Sequence, residues 1–215
     1  MDMYLLLILG LLTSCSGYRF TQQENPLSQY GIQSLSVPMF YNYSNLPEVS
    51  NDFTRETYRL LMNFSGLKLH SGYNKNADAV LIGIIKSPER LAETLRPVSS
   101  RIAQEKAKKV TGRRENFLIP GATTINLSVQ IIMIKKPTEE ELALLKSGIG
   151  DQVKLTSRII FNETLPVANT FTREIFDEQG VSVVATQNAG VQRKLVDNMA
   201  EQTAISIRDM ILYAF

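Results

Sequence analysis

Nucleophiles, general bases, metal ligands and clustered cations are the side chains most often found at working sites, and only the last are concentrated in this sequence. There is one Cys, Cys15, and one His, His70. A lone Cys forbids an internal disulfide, and a lone His cannot build a His-rich metal centre. His70 follows Leu69 in an extended stretch with no Ser-His-acid or Cys-His arrangement nearby, so it reads as an ordinary, partly buried ring. No phosphate-cradling Walker loop and no GxGxxG turn is present. The expectation is therefore no enzyme, no catalytic residue, no metal and no cofactor. Cations are a different matter. Arg101, Lys106, Lys108, Lys109, Arg113 and Arg114 stand together with only Glu105 and Glu115 against them, whereas the whole chain carries a formal charge of just +2. Two readings fit: a solvated helix face with a flexible tip, or a surface for anions, since Lys and Arg donors suit phosphate oxygens. A nucleic-acid partner is not expected, because a binder of that kind needs a larger excess of positive charge.

Cys15 gains meaning from what precedes it. Leu5 to Leu12 is an unbroken apolar run apart from Gly10, far shorter than the roughly 18–20 residues that span a bilayer as a helix, and so reads as the core of an export signal. Leu12-Thr13-Ser14-Cys15 follows directly and resembles the bacterial lipobox, in which the Cys receives a diacylglycerol on sulfur and becomes the acylated first residue. The segment Met1-Asp2-Met3-Tyr4 departs from the usual pattern in having no Lys or Arg. The resemblance implies a chain tethered to a membrane by its acyl chains. In Gram-negative lipoproteins an Asp after the Cys commonly retains the protein at the inner membrane. Ser16 stands here instead and implies the outer membrane, with the protein on its periplasmic face.

The 215 residues suit one compact domain, and 44% hydrophobic against 20% charged residues is a globular balance. Residues 1–14 are expected to be the signal peptide, 15–31 a lipidated tether, and 32–215 a single domain. Leu35, Val37 and Met39 alternate, predicting a strand over Gln33–Tyr41 that Pro38 consigns to an edge or to irregular pairing. A loop over Tyr41–Glu48 leads to a helix over Asp52–Ser65, where Phe53, Leu60, Leu61 and Phe64 recur at helical spacing. Ala77–Ile85 is almost continuously apolar and predicts a central strand covered on both faces, while Thr123–Lys135 alternates as a half-buried strand should. The connection 88–122 between them carries the cations and is long enough to be either functional or disordered, with a helical piece expected over Ser99–Val110. A short helix opens at Thr138–Glu141, and Val153–Asn162 and Leu165–Glu174 look extended, interrupted by Pro166, and are expected to supply a further strand or a bent hairpin. Gln187–Tyr213 is a long amphipathic helix with Val196, Met199, Ala200, Thr203, Ile207, Met210 and Ile211 on one stripe. The fold class is α+β: two helices packed on a mostly antiparallel sheet of four or slightly more strands.

Several of these pieces taken in order resemble a known family. Cys15 with Gly17-Tyr18-Arg19-Phe20 just after it, Leu35-Ser36-Val37-Pro38-Met39-Phe40 with Asn42, a helix, Ala77-Asp78-Ala79 leading to Leu81, Gly83 and Ile85, the alternating strand and a terminal helix are similar to the LPS-assembly lipoproteins (LptE, also called RlpB). The resemblance implies an outer-membrane lipoprotein that assists assembly of the barrel LptD, plugs its lumen and binds lipopolysaccharide during export to the outer leaflet. It also places lipopolysaccharide contacts on the basic connection, at Lys106, Lys108, Lys109, Arg113 and Arg114. A competing expectation from the same anchor, size and layout is a pilot or adaptor for another envelope machine, such as a secretin.

Overall fold

The structure, a computed structural model, describes residues 23–99, 120–146, 158–174 and 181–213. Two strands organise the protein. β6 (Ala79–Lys86) and β8 (Pro120–Lys135) pair antiparallel from Ala79↔Lys135 to Lys86↔Ser128. Both are rich in Ile and Val, which fit a pleated, packed surface. β6 is buried on both faces, as its continuous apolar run predicts. β8 differs from expectation. Its first half alternates, but Val129 to Ile134 is buried throughout, because that half lies between β6 and β9 with helices on both sides.

The rest of the sheet is built outward from this pair. β2 (Ser34–Val37) and β3 (Tyr41–Tyr43) run parallel to β6 along one edge, one after the other. β5 (Lys68–Ser71) joins β2 in parallel. The single strand expected over Gln33–Tyr41 is thus two strands with Pro38 at the break, since proline cannot donate to the ladder. The break reverses the alternation, and Met39 is 61% exposed instead of buried. β7 (Leu95–Ser99) continues beyond β6 along the same edge of β8, with a single helical turn, α2 (Leu91–Thr94), before it. β9 (Ile159–Thr172) lines the opposite edge of β8 almost end to end, so of the two expected forms, a further strand or a bent hairpin, the structure has the strand. Pro166 is accommodated because β9 is an edge strand, pairing only with β8 among the described residues. The sheet therefore has seven strands, antiparallel around β8 and parallel around β2.

On one face lie α1 (Val49–Leu61) and α4 (Val181–Tyr213). Val49, Phe53, Thr57 and Leu61 recur every fourth residue and bury one side of α1. Val196, Met199, Ala200, Ile207 and Ile211 do the same for α4, as their stripe predicts. They close over Leu35, Phe40, Leu81, Ile85, Ile131 and Met133. Each fully buried side chain of this kind contributes about 1.5–3 kcal/mol. The start of α1 is at Val49 rather than Asp52, after Glu48 in a left-handed conformation at φ 64. On the other face Val80, Ile82, Ile84, Ile132 and Ile134 meet Leu142 of α3 (Glu139–Lys146), so a third helix covers the sheet beside the two expected. The helical piece expected at Ser99–Val110 lies outside the described residues from position 100 on, while Ser99 ends β7.

Candidate functional site

Cys15, Lys106, Lys108, Lys109, Arg113 and Arg114 all lie outside the described residues. What the fold fixes is where their segments join it. The segment that begins at Cys15 enters at β1 (Gln23–Glu24), which pairs in parallel with β4 (Phe64–Ser65). A 3-10 turn, η1 (Pro26–Tyr30), follows. Asn25 organises this entry: its carboxamide oxygen accepts from the Leu27 amide at 3.0 Å and its nitrogen donates to the Ile32 carbonyl at 2.8 Å. Asn25 is 8% exposed, and Leu27 and Ile32 beside it are wholly buried. The Lys135 ammonium donates to the Tyr30 carbonyl at 2.6 Å, pinning η1 to the last residue of β8. The fold thus takes in residues from Gln23 onward, ahead of residue 32 where the sequence places the start of the domain.

The basic connection departs at the other end of the same strand. Ser99 and Pro120, the residues that flank it, are paired with each other. β8 has 16 residues, so its Lys135 end, which holds η1, and its Pro120 end, where the basic connection is rooted, lie up to about 50 Å apart along the strand. One rigid, hydrogen-bonded strand holds the two apart.

Two further features lie between the ends. The first is the seam where α1 and α4 run in parallel. Arg55 pairs with Asp197 at 3.1 Å and, one turn on, Arg59 with Glu201 at 3.4 Å, while Arg193 pairs with Glu48 at 3.6 Å. Asp52 faces this group, and burial above all, then the nearby Asp197 carboxylate, lifts its carboxyl above the usual range, opposed by Arg55 and Arg193. The partners are mutual and the arginines are half exposed or more, so the seam aligns the helices. The second is an open groove of about 810 Å³ at the β2–β3 break, lined by Met39, Tyr41, Tyr73, Ile82 and Leu142, with the Lys75–Glu139 ion pair at its rim. Sequence reasoning missed it by placing Met39 inward, although Pro38 was the signal that the alternation would fail. His70 lies in β5, partly buried beside Ser36. Among the described residues no three metal-binding side chains come together, and no helix is long and apolar enough to cross a membrane.

The arrangement defines a class: an α+β domain entered by its N-terminal segment at one end of a long strand and carrying a basic connection at the other. No protein-family model matches the chain, and no curated protein sequence matches it. Solved structures resemble it in part. A candidate lipoprotein from Caulobacter crescentus is 10% identical with a TM-score of 0.42, covering 81% of this chain and 89% of that one. The rare lipoprotein B from Shewanella oneidensis is 12% identical with a TM-score of 0.37, covering 83% and 92%. Lipoprotein GNA1162 from Neisseria meningitidis is 8% identical with a TM-score of 0.35, covering 76% and 98%. All three are described as lipoproteins.

Proposed function

We propose that this chain is a non-enzymatic lipoprotein of the outer membrane, anchored through Cys15 on the periplasmic face, that assists assembly of an LptD-type barrel, plugs it and binds lipopolysaccharide on its way to the outer leaflet. The observation that carries the reading is the separation of the two ends. A tether of eight residues, Cys15 to Gln22, reaches at most about 29 Å. The basic connection is rooted at the Pro120 end of β8, and η1, which follows the tether's entry, is held at the Lys135 end, up to about 50 Å away along the strand. An anchor held by two or more acyl chains is stable. It leaves the far end free to meet an anionic glycolipid away from the surface that holds the anchor. Lipid A presents phosphates, for which Lys106, Lys108, Lys109, Arg113 and Arg114 supply donors. Each charge-assisted bond contributes about 1.5–3 kcal/mol where water is excluded. Exposed to solvent, the same lysines would contribute much less.

Replacing Arg113 and Arg114 together by Ala is expected to weaken lipopolysaccharide capture by the purified protein while leaving its unfolding midpoint unchanged. Retained capture would assign the binding to another surface. Co-purification separates this reading from its competitor: an LptD-type barrel captured with the tagged protein supports it, and a secretin ring captured instead overturns it.

A further inference from the structure

A second open groove lies on the α1 side of the sheet. It measures about 600 Å³ and runs between α1 and the ends of β2 and β5, lined by Val37, Met39, Thr54, Tyr58 and Met62. Thr54 and Tyr58 fall one turn apart on α1 and Met62 caps its end, so a single stripe of the helix walls the groove. Met39 and Met62 are 61% and 63% exposed among the described residues. Thioether side chains are apolar and adaptable, and they favour sulfur–ring contacts with aromatic partners. The charges at the rim are already engaged, Arg55 with Asp52, Glu56 and Asp197, and Arg59 with Glu56 and Glu201. The groove therefore offers apolar contact and not an ionic site.

The tether joins the fold beside this groove. Gln23 pairs with Phe64, and Met62 stands two residues before Phe64. Neighbouring strands lie about 4.8 Å apart and two residues span at most about 7 Å, so Gln23 is within about 12 Å of Met62. The other segments outside the described residues join elsewhere. Residues 100–119 are rooted at Ser99 and Pro120. Residues 175–180 follow Glu174 at that same end, where the Arg173 amide donates to the Gly121 carbonyl. Residues 147–157 leave α3 on the opposite face of the sheet and return at Arg158, whose carbonyl accepts from the Lys135 amide. Residues 214–215 are two positions after Tyr213.

We propose that this groove receives the aromatic pair of the tether, Phe20 against Met62 and Tyr58, and Tyr18 further along α1 toward Met39. Tyr18 and Phe20 are the only large apolar side chains between Cys15 and Gln23. Phe20 stands three residues from Gln23 and Tyr18 five, reaches of about 11 and 18 Å. Met62 and Thr54 are about 12 Å apart along the helix, so the two rings match the length of the apolar wall. Alternate side chains of an extended chain share a side, which turns both rings inward and leaves Arg19 to water. Proximity selects this occupant over others. A segment tied this close acts at a millimolar effective concentration, which a separate protein must outcompete while also giving up its freedom of motion. An open groove leaves one side of an acyl chain wet, whereas the bilayer buries it entirely. A second copy meeting this one through the same patch would set one concave surface against another and fill neither. Once docked, the tether keeps only Cys15 to Gly17 free, about 11 Å of chain, and so sets how the domain stands on its membrane. That consequence rests on the anchor proposed above; the docking does not.

The test measures sulfoxide formation at Met39 and Met62 under dilute hydrogen peroxide, read by mass spectrometry of the purified full-length protein. Met210, partly buried against the core and outside the groove, is the internal reference. Replacing Tyr18 and Phe20 together by Ala is expected to speed oxidation of Met62 about tenfold, the equivalent of about 1.4 kcal/mol of lost docking, to speed Met39 as well, and to leave Met210 unchanged. Phe20→Tyr, which keeps a ring, is expected to retain the protection, and thermal melts of each variant check the fold. Equal rates at Met62 in the parent and in a folded double variant would overturn the inference. So would protection that fades on dilution, the mark of a second copy, or protection present in membranes and lost on purification, the mark of a separate protein. Protection lost in Cys15→Ser but kept in the double variant would assign the groove to an acyl chain and overturn it too. Protection that survives Cys15→Ser and still depends on Phe20 supports docking whether or not the chain is anchored, so this inference and the proposed function fail separately.

Discussion

Asp78 is the residue whose chemistry is most clearly readable in the fold. Its carboxylate accepts from the Gln33 amide at 3.1 Å, the Ser34 amide at 2.9 Å and the Ser34 hydroxyl at 2.8 Å, which fixes the start of β2 against the start of β6. Those bonds, the Ser34 hydroxyl first, hold its carboxyl below the usual range. A depressed carboxylate stabilises the fold above its unfolded value, near pH 4, and loses that contribution as pH falls through the lower folded value. Asp78→Ala is expected to cost about 1.5 kcal/mol or more at neutral pH, read from the denaturant midpoint, and to flatten the acid limb of stability. An unchanged acid limb would show that another group carries it. Gly83 makes a second residue-scale claim. A Cβ there would drive into the ring of Phe40, which lies against the backbone of β6. Gly83→Ala is expected to destabilise by about 1–3 kcal/mol, and Phe40→Leu in the same chain to recover part of the loss. The sequence shows Gly83 only as a gap in an apolar strand. Nothing in the one-dimensional pattern says that an aromatic ring from the break between β2 and β3 fills it.

At the scale of elements, what was legible depends on whether one residue or a whole period carries the signal. The stripe from Val196 to Ile211 and the apolar pattern from Thr123 to Lys135 each repeat many times, so the terminal helix and β8 are legible in the sequence, although α4 opens at Val181, six residues ahead of the expected Gln187, and β8 at Pro120, three ahead of Thr123. β5, with only Lys68 to Ser71, has too few positions to show a period, and β1 and β4 have two residues each. They exist because neighbouring backbone groups need partners, and that demand is tertiary. Pro38 and Pro166 show the same residue read in two ways. Pro38 ends a strand that has β5 on its outer side, whereas Pro166 is kept inside a strand with no outer neighbour among the described residues. The choice was set by the pairing, which the sequence does not contain. α1 tests the packing directly. Phe53→Ala is expected to cost about 3–5 kcal/mol, because Phe53 is wholly buried between α4 and the sheet. Arg55→Ala, which removes half-exposed ion pairs from the same helix, is expected to cost less than about 1 kcal/mol. Equal losses in urea unfolding would mean that the seam does more than align the helices.

For the whole molecule, the reading turns on polarity along one axis. The turn η1 that follows the tether's entry is held by Lys135, and the basic connection leaves beside Pro120, at the other end of β8. The candidate anchor and the cations were visible in the sequence as a lipobox and a charge cluster. Their separation was not, because it depends on β6 and β7 lying end to end along one edge of β8 so that a single strand spans the domain. In the proposed function these features serve one task, holding a cationic end away from an anchored one while a glycolipid is exported. The most direct measurement of that task is the amount of lipopolysaccharide at the cell surface when this protein is depleted. Under the proposed function the surface amount falls together with the population of correctly assembled barrel. Undiminished surface lipopolysaccharide with a normally assembled barrel would contradict it.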